Sequence, residues 1–579
     1  MLWRFPTEIS LLGGVNSAIF AYSLQGDSAL FIDHIISLAQ IGIGTGHFYD
    51  PKLLYDEHAD RFILVFLRDN TPANSAIMVA FSSSNNPLDP WHVYELSGNP
   101  LQNNRWTDFP AISITEEELF ITGNLIIPGV SWQVGFDGSV IWQIDKGKGY
   151  NNDSLDTRLY SQVEFKDQYT RNIHPVRGSE SIVGEQYFLS NRNFDIQNDS
   201  IFIMKITGTL DDPNTELLVN VGQANTPYGV PPNGRQADTD LNDPTKGLQT
   251  NDARVLGAVY HENWIQFVGN TKNFKTGYSA IYHGTINNPL TDAQQITAKV
   301  IGDSTLDFGY PNLAFTGNEN CDIEAIIGVN YSSPTDFPGV GAFYYGNDSA
   351  YSEFVRLKEG ENFTNRHSDS YERWGDYFGI QRKFNDPGKV WTAGYWGLAN
   401  NNNATWFNEL ATPDTNRLFV QTQQAGNPLF CSGTLELNVA GGVPPYSYTI
   451  SGNHTSNTAF INNICDGDTL NYIVTDSRGC QQTGLIVTDQ VNTGTANAIY
   501  PNPASTQMVS QFTLKSEQKV TAYVYDMSGR VVEQIIDSKA KQGLNELHFD
   551  ISTLSAGTYV LRVFAGDENI LSEKFVRGD

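Results

Sequence analysis

The sequence predicts an all-β fold: a six- or seven-bladed β-propeller followed by two small immunoglobulin-like β-sandwich modules. Three observations carry this reading. The 579 residues include 51 Gly, 25 Pro and 12% aromatics but only 17% charged residues, a balance that suits turn-rich sheets rather than helical bundles. Apolar runs of four to eight residues are broken by Gly, Pro, Asn and Asp. An octet with the pattern Arg-Trp-x-Asp-aromatic-x-x-Ile occurs twice, at Arg105–Ile112 and Arg373–Ile380, which marks an internal repeat.

The repeat is read from its strands. Lys52–Asp56, Arg61–Leu67, Ser75–Phe81 and Trp91–Leu96 make one antiparallel meander. The pattern restarts at Asp108, His174, Asp252, Tyr310 and Asp376, with second strands at Glu118–Asn124, Gln186–Ser190, Asn263–Val268, Glu324–Val329 and Val390–Gly394. Starts lie roughly 60 to 80 residues apart, against about 40 to 50 for a minimal blade. The excess sits in polar insertions such as Gly222–Thr250. Asn16–Leu24 and Phe31–Leu38 read as the latter half of a seventh copy that lacks its first strand. Because Met1–Gly14 also lacks the pattern of an export signal, the expectation is a lost signal or a truncated start. Radial repetition leaves no long open sheet edge, which favours a ring over a stack of sandwiches.

In such a ring the repeat-initial residues converge at one channel mouth. Asp50, Arg105, Trp106, Asp108, His174, Asp252, Arg254, Arg373, Trp374 and Asp376 are therefore expected around one opening. Arginine forks pair with carboxylates and indole faces stack on sugars, so the set suits a carboxylated or polyhydroxylated ligand. The competing reading is architectural: Asp caps the turn, Arg pairs with a neighbouring blade and Trp fills the space between blades. Asp238, Asp240 and Asn242 space oxygen ligands as calcium loops do, although Asp243 stands where an EF-hand has glycine. Calcium is the one cofactor the sequence suggests. A net charge of −28 argues against nucleic-acid binding, and no apolar run is long enough to span a membrane as a helix.

The rhythm from about Asn16 to Leu410 resembles the sialidase-like propellers of secreted bacterial proteins. That family implies three arginines on a substrate carboxylate, a Tyr/Glu pair, an acid Asp and Asp-box turns. Phe136–Trp142 keeps an Asp-to-Trp spacing but misplaces the glycine, and no catalytic set carries over. Two functions follow: a binding or adhesion head for surface glycan or polysaccharide, or a sialidase-like glycoside hydrolase.

Composition shifts after residue 411, giving a propeller at 1–411, a linker at 412–426 and modules at 427–490 and 491–579. In the first module, Gly441-Gly442-Val443-Pro444-Pro445-Tyr446-Ser447-Tyr448 and Val474-Thr475-Asp476-Ser477-Arg478-Gly479-Cys480 resemble the SprB-type repeat of Bacteroidota surface adhesins. A bridge from Cys480 to Cys431 or Cys465 is expected in an oxidising compartment, and Cys321 reads as a small buried residue. The last module carries Tyr500-Pro501-Asn502-Pro503, an Asp526 to Val532 hairpin through Gly529, a Gly557-Thr558-Tyr559 strand and a final Lys574-Phe575-Val576 strand. It resembles the type A C-terminal sorting domain of the type IX secretion system. That resemblance implies the secretion machinery as partner and release to the medium or attachment at the outer-membrane surface.

Overall fold

The computed structural model describes residues 9–25, 29–179, 182–317, 322–367, 372–383, 388–413, 418–425, 433–465, 467–477, 479–487, 498–514, 516–526, 530–566 and 568–578. Cys321, Cys431 and Gly529 lie outside them. Helix among them is confined to Leu38–Ile41, Lys146–Tyr150 and a 3₁₀ turn at Pro244–Lys246. The chain divides into two compact units, Met1–Asp414 and Thr415–Asp579.

The large unit is propeller-like. Phe48–Asp56, Arg61–Arg68, Ala76–Ser82 and Trp91–Ser97 form a four-stranded meander in chain order, and Trp106–Ile114, Glu118–Ile126, Phe136–Asp145 and Thr157–Tyr160 form the next. The set at 174–228 and the set at 255–301 join through parallel pairing of Ala224 with Ile296 into one nine-stranded sheet. Asp307–Phe315, Ala325–Ser332, Gly339–Tyr345 and Val355–Lys358 follow, then a three-stranded sheet at 379–411. At the N-terminal end, Ile9–Val15, Ala18–Gln25 and Ala29–Ser37 make three strands rather than a partial pair, so the strand expected to be missing is present at Ile9–Val15. The first and last sheets meet where Tyr22 packs 4.8 Å from Phe407, ring centre to ring centre. A Cβ on Gly13 would stand 2.7 Å from that same Phe407 ring, which is why glycine serves there.

Buried asparagines on second strands tie four successive sets, from 106–160 to 307–358, each to the next. The Asn124 side-chain oxygen accepts from the Asn172 N–H (3.1 Å), and the Asn191 amide donates to the Ala253 carbonyl (2.7 Å). The Asn270 oxygen accepts from the Tyr310 N–H (2.8 Å) while its amide donates to the Thr250 carbonyl (2.9 Å), and Asn330 accepts from the Tyr395 N–H (2.9 Å). These four side chains are at most 5% exposed. Each satisfies a backbone group that the curvature of the ring leaves without a ladder partner.

Inner strands share a second device. Register slips at Tyr49/Lys52, Asp108/Ala111, Val255/Gly257 and Gly309/Asn312 mark a bulge near the start of four of them. In three, the bulged residue is left-handed and precedes proline: Asp50 (φ 52°), Phe109 (φ 55°) and Tyr310 (φ 53°). A residue before proline favours extended backbone, so these positions hold strain at one end of the channel. Bulges re-aim side chains, and here they turn them into the channel mouth.

In the second unit the stretch expected to be a linker contributes structure. Phe419–Ala425 pairs antiparallel with Gly433–Ala440, which also pairs with Phe460–Ile464. That linker expectation is corrected for 419–425: Val420 faces inward at 7% exposure and gives the strand a core contact. Ser447–Gly452, Thr469–Thr475 and Gln481–Val487 form a second three-stranded sheet. The two quoted signatures of this module meet at Asp476, whose carboxylate accepts from the Val443 N–H (2.9 Å) and the Cys480 N–H (3.0 Å). Cys465 and Cys480 are each disulfide-bonded.

The C-terminal module pairs a three-stranded sheet (498–500, 507–514, 543–550) with a four-stranded one (518–526, 531–540, 557–565, 568–577) around Met508, Phe512, Val524, Leu561 and Phe575. Asn502 is the clasp of the Tyr-Pro-Asn-Pro turn. Its amide donates to the Lys574 carbonyl and its oxygen accepts from the Val576 N–H, both at 2.9 Å. Tyr559 stacks on Phe575, and its hydroxyl donates to the Ser555 carbonyl at 2.9 Å. Gly557 opens its strand opposite Arg577, and Tyr500 and Lys574 are exposed.

Replacing Asn270 by Ala strands a buried N–H at Tyr310 and a buried carbonyl at Thr250, at a cost on the order of 1–3 kcal/mol for each group. The large unit of Asn270→Ala is expected to melt several degrees below wild type in a calorimetric scan. An equivalent exposed change, Asn242→Ala, should leave the transition in place.

Candidate functional site

The bulges open onto a cavity of about 1250 Å³ at one mouth of the channel. Asp50, Lys52, Trp106, Asp108, Phe109, His174, Arg177, Arg254, Tyr310, Arg373, Asp376 and Tyr377 all reach it. Its far end is closed by side chains that cross the ring: Arg177 donates to the Ile380 carbonyl (3.1 Å), Arg382 to that of Ser179 (2.7 Å) and Gln381 to that of Tyr55 (3.2 Å).

The two octets meet here, but unequally. Their fifth positions, Phe109 and Tyr377, stack at 5.6 Å with 25° between planes. The Lys52 ammonium lies over the Tyr377 ring, 2.7 Å from its centre, and the Arg254 guanidinium lies 4.2 Å from the Phe109 centre. Around this stack the copies diverge. In the first, φ is positive at Phe109; in the second it is positive at Gly375 (φ 91°) and Asp376 (φ 70°). The offset exchanges the roles of Arg and Trp. Trp106 lines the cavity while Arg105 turns away to Asp137, its Nε donating at 2.7 Å. Arg373 lines the cavity, 60% exposed and ion-paired with Asp376, while Trp374 is fully buried against Leu248, Tyr310 and Tyr395.

Of the eight ligand residues expected from the sequence, the structure thus brings Trp106, Asp108, Arg254, Arg373 and Asp376 to one cavity, together with Asp50 and His174. Arg105 and Trp374 serve the architecture instead. So does Asp252, which is 0% exposed and holds Arg254 through Nε (2.8 Å) and Nη2 (2.5 Å). Sequence reasoning passed over Lys52, Arg177 and Tyr377. The signal for Lys52 was its place just after Asp50-Pro51, at the bulge.

The Gly222–Thr250 insertion is part of the wall. Its first residues extend the strand Leu217–Tyr228, and Leu248–Gln249 pair in parallel with Glu372–Arg373, where the second octet begins. Trp374 occupies space against Gly234 and Gly309, where an added Cβ would come within 2.6 Å of its ring. Tyr310 donates to the Gln249 carbonyl (3.0 Å), and Asn251 donates to Asp376 (3.2 Å). Asp238, Asp240 and Asn242 sit exposed on the outer turn of this insertion, where Asp240 accepts from the Asn242 N–H at 2.9 Å. Among the described residues no group of three His, Cys, Asp or Glu side chains is arranged to hold a metal ion.

Crowding at the cavity sets its charge states. Burial pushes the Asp108 carboxyl up to about 6, and the nearby Asp50 charge adds to this against the Phe109 N–H, Arg254 and Arg373. Burial also raises Asp50 and drives the Lys52 ammonium well below its ordinary range, with Arg177 and Arg254 adding to the effect on Lys52. His174 falls to about 3 through burial beside Arg177 and Lys52, so its ring is neutral at pH 7. Arg177 falls to about 10 and stays charged. For Arg254 burial opposes the charge, yet Asp252 more than offsets it. The site therefore sets fixed guanidinium charges beside a carboxyl poised to titrate near neutrality.

Residues 498–577 match the family model of a secretion system C-terminal sorting domain. This domain marks the chain for export by the type IX system, with attachment to the cell surface or release, and no helix of the described residues is long and apolar enough to cross a membrane. No curated protein matches the chain. Among solved structures, a mutant sialidase of Trypanosoma rangeli is 9% identical, covers 98% of this chain and 87% of its own, and has a TM-score of 0.32. A family 32 glycoside hydrolase of Bifidobacterium adolescentis is 10% identical, covers 92% and 80%, and has a TM-score of 0.28. Dimeric latent PorU of Porphyromonas gingivalis is 13% identical over 52% of this chain, with a TM-score of 0.19, and the chain spans 31% of its length.

The raised Asp108 carboxyl fixes a pH dependence. Its folded-state value of about 6 exceeds the ordinary 3.8, so the folded state holds the proton more tightly than the unfolded chain. Its contribution to stability is greatest below pH 4, is lost as pH rises to 6, and stays lost above that. Asp108→Asn should be more stable than wild type at pH 7, by an amount on the order of 2–3 kcal/mol, with the gap closing by pH 4. Melting temperatures of both proteins across that range check it.

Proposed function

We propose that this is a secreted or surface-displayed binding protein whose propeller takes a carboxylated or polyhydroxylated glycan at the channel mouth. The observation that carries the reading is the cavity itself, which combines Arg254, Arg373, Arg177 and Lys52 with the faces of Trp106, Phe109 and Tyr377. Guanidinium forks donate to carboxylate or hydroxyl oxygens, and the rings take the apolar faces of sugars. In this reading the three four-stranded sheets, the two sets joined in the nine-stranded sheet and the three-stranded 379–411 sheet are six blades, with the N-terminal three strands as a seventh. The unit from Phe419 to Val487 is an immunoglobulin-type, SprB-like stalk, and the last module addresses the protein to the secretion machinery.

A glycan array probed with the full chain should reveal acidic or neutral saccharide ligands, and titration calorimetry should show affinity falling at least about tenfold in Arg373→Ala. Arg105→Ala should bind like wild type, because that side chain is committed to Asp137. Equal binding by wild type and Arg373→Ala, or an array without ligands, would sink the reading.

One observation favours a second reading, a glycoside hydrolase. Asp108, with its carboxyl at about 6, shares the cavity with Asp50, and a proton-holding carboxyl beside a second carboxylate is what general acid chemistry needs. Under that reading, chromogenic glycosides are cleaved with a rate that declines above pH 6 and disappears in Asp108→Asn. Absence of cleavage across a broad glycoside panel leaves binding as the function.

A further inference from the structure

The cavity is not walled by polar groups on every side. Three loops that each join the second and third strands of successive sheets rise next to it, at 127–135, 192–197 and 273–278. Their tips are apolar and exposed: Val134 is 74% accessible and Ile196 83%, with Val130, Phe194 and Phe274 also open. Isolated exposed apolar residues need no explanation, but these adjoin one another. Trp132, itself a cavity residue, packs 6.0 Å from Phe194. Gly229 touches both neighbouring loops, for an added Cβ would lie 2.0 Å from the Ile196 carbonyl oxygen and 3.1 Å from the Phe274 ring.

The crest is held out by a built device. The Arg171 guanidinium lies 4.6 Å from the centre of Phe194, 4.7 Å from Phe136 and 5.7 Å from Trp132. It also donates to the carbonyls of Gln133 (3.0 Å) and Trp132. One half-buried cation thus pins the 127–135 loop by its backbone and the 192–197 loop by the Phe194 ring, and leaves Val134 and Ile196 exposed to solvent.

We propose that this crest seats the apolar chain of an amphiphilic ligand whose polar head enters the cavity. The inference rests on the glycan-binding reading above and adds the class of its aglycone. Continuity carries it: Trp132 belongs to both surfaces, so a head among Arg254 and Arg373 leaves its tail directly over Trp132, Phe194 and Ile196. Charge favours a single amphiphile over a bilayer. The chain carries −28 overall, which opposes an anionic membrane surface, while cations are gathered at the cavity beside the crest.

Calorimetry of the full chain with methyl and octyl β-glucuronide and with methyl and octyl β-glucoside tests it. Burying only two methylenes suffices for about tenfold, so the octyl glycoside should bind at least about tenfold more tightly than its methyl partner. In the double variant Val134→Ser/Ile196→Ser, that gain should fall below about threefold while methyl glycoside affinity is unchanged, since neither tip lines the cavity. Equal affinities for methyl and octyl forms in wild type, or a gain kept in the variant, overturn the crest and leave the cavity reading intact. Failure to bind any of the four glycosides, together with an array lacking ligands, overturns both. Sedimentation with phosphatidylcholine vesicles is the remaining arm: vesicle binding that depends on Val134 and Ile196 without any octyl gain makes the crest a bilayer contact and overturns the proposal.

Discussion

Four successive seams of the large unit depend on a polar side chain that one sheet lends to the next. A ring of twisted sheets packs apolar faces together, yet its inner edges bring backbone groups into a region that water does not reach. Asn124, Asn191, Asn270 and Asn330 satisfy those groups at the seams, each from a second strand and each within 3.1 Å of the next sheet. An amide can serve as donor at one seam and acceptor at another, whereas an ionised carboxylate only accepts and a serine or threonine hydroxyl is too short to reach as far. With the seams fixed in this way, the inner strands can start with bulges, and the bulges can hold Asp50, Phe109 and Tyr310 in left-handed conformations.

Those strained starts decide the chemistry of the cavity. Turning several inner strands toward one point crowds like charges together: Lys52 with Arg177 and Arg254, Asp50 with Asp108. In water these charges would be screened; among protein atoms they shift one another. The outcome is a division of labour. Arg254 keeps its charge because Asp252 is buried with it, and His174 is neutral because nothing compensates it. Asp108 is left between, as the carboxyl that answers to pH near neutrality.

Much of this was legible in the residues. Short apolar runs with Gly, Pro, Asn and Asp between them gave the meanders at nearly their observed bounds, and repeat starts located the channel mouth. The octet shows where legibility ended. Arg105 and Arg373 are indistinguishable by pattern, but Thr107 follows the first Arg-Trp and Gly375 the second. Glycine lets the backbone turn left-handed two residues earlier, which sends Trp374 inward and Arg373 outward. The third position, which the motif treats as free, carried the difference. Likewise Gly222–Thr250 looked like solvated excess because its polar residues outnumber Tyr228 and Leu248, the two apolar side chains that are fully buried and set its path.

The same reasoning explains why the surroundings of the cavity are asymmetric although the fold is repetitive. Sets that recur keep what their seams need, the second-strand asparagine at four of them and the bulge in four inner strands. What no seam needs is free to vary, and the loops between second and third strands are such places. Where the 106–160 and 174–228 sets meet, Arg171 locks two of those loops into an apolar crest; elsewhere on the mouth, the end of the 222–250 insertion and the residue after it bring polar Gln249 and Asn251. On the binding reading proposed above, a ligand entering between them would meet cations below, amides on one side and hydrocarbon on the other. What distinguishes one side of the cavity from the other therefore resides in loops that the repeat does not constrain, carried on seams that it does.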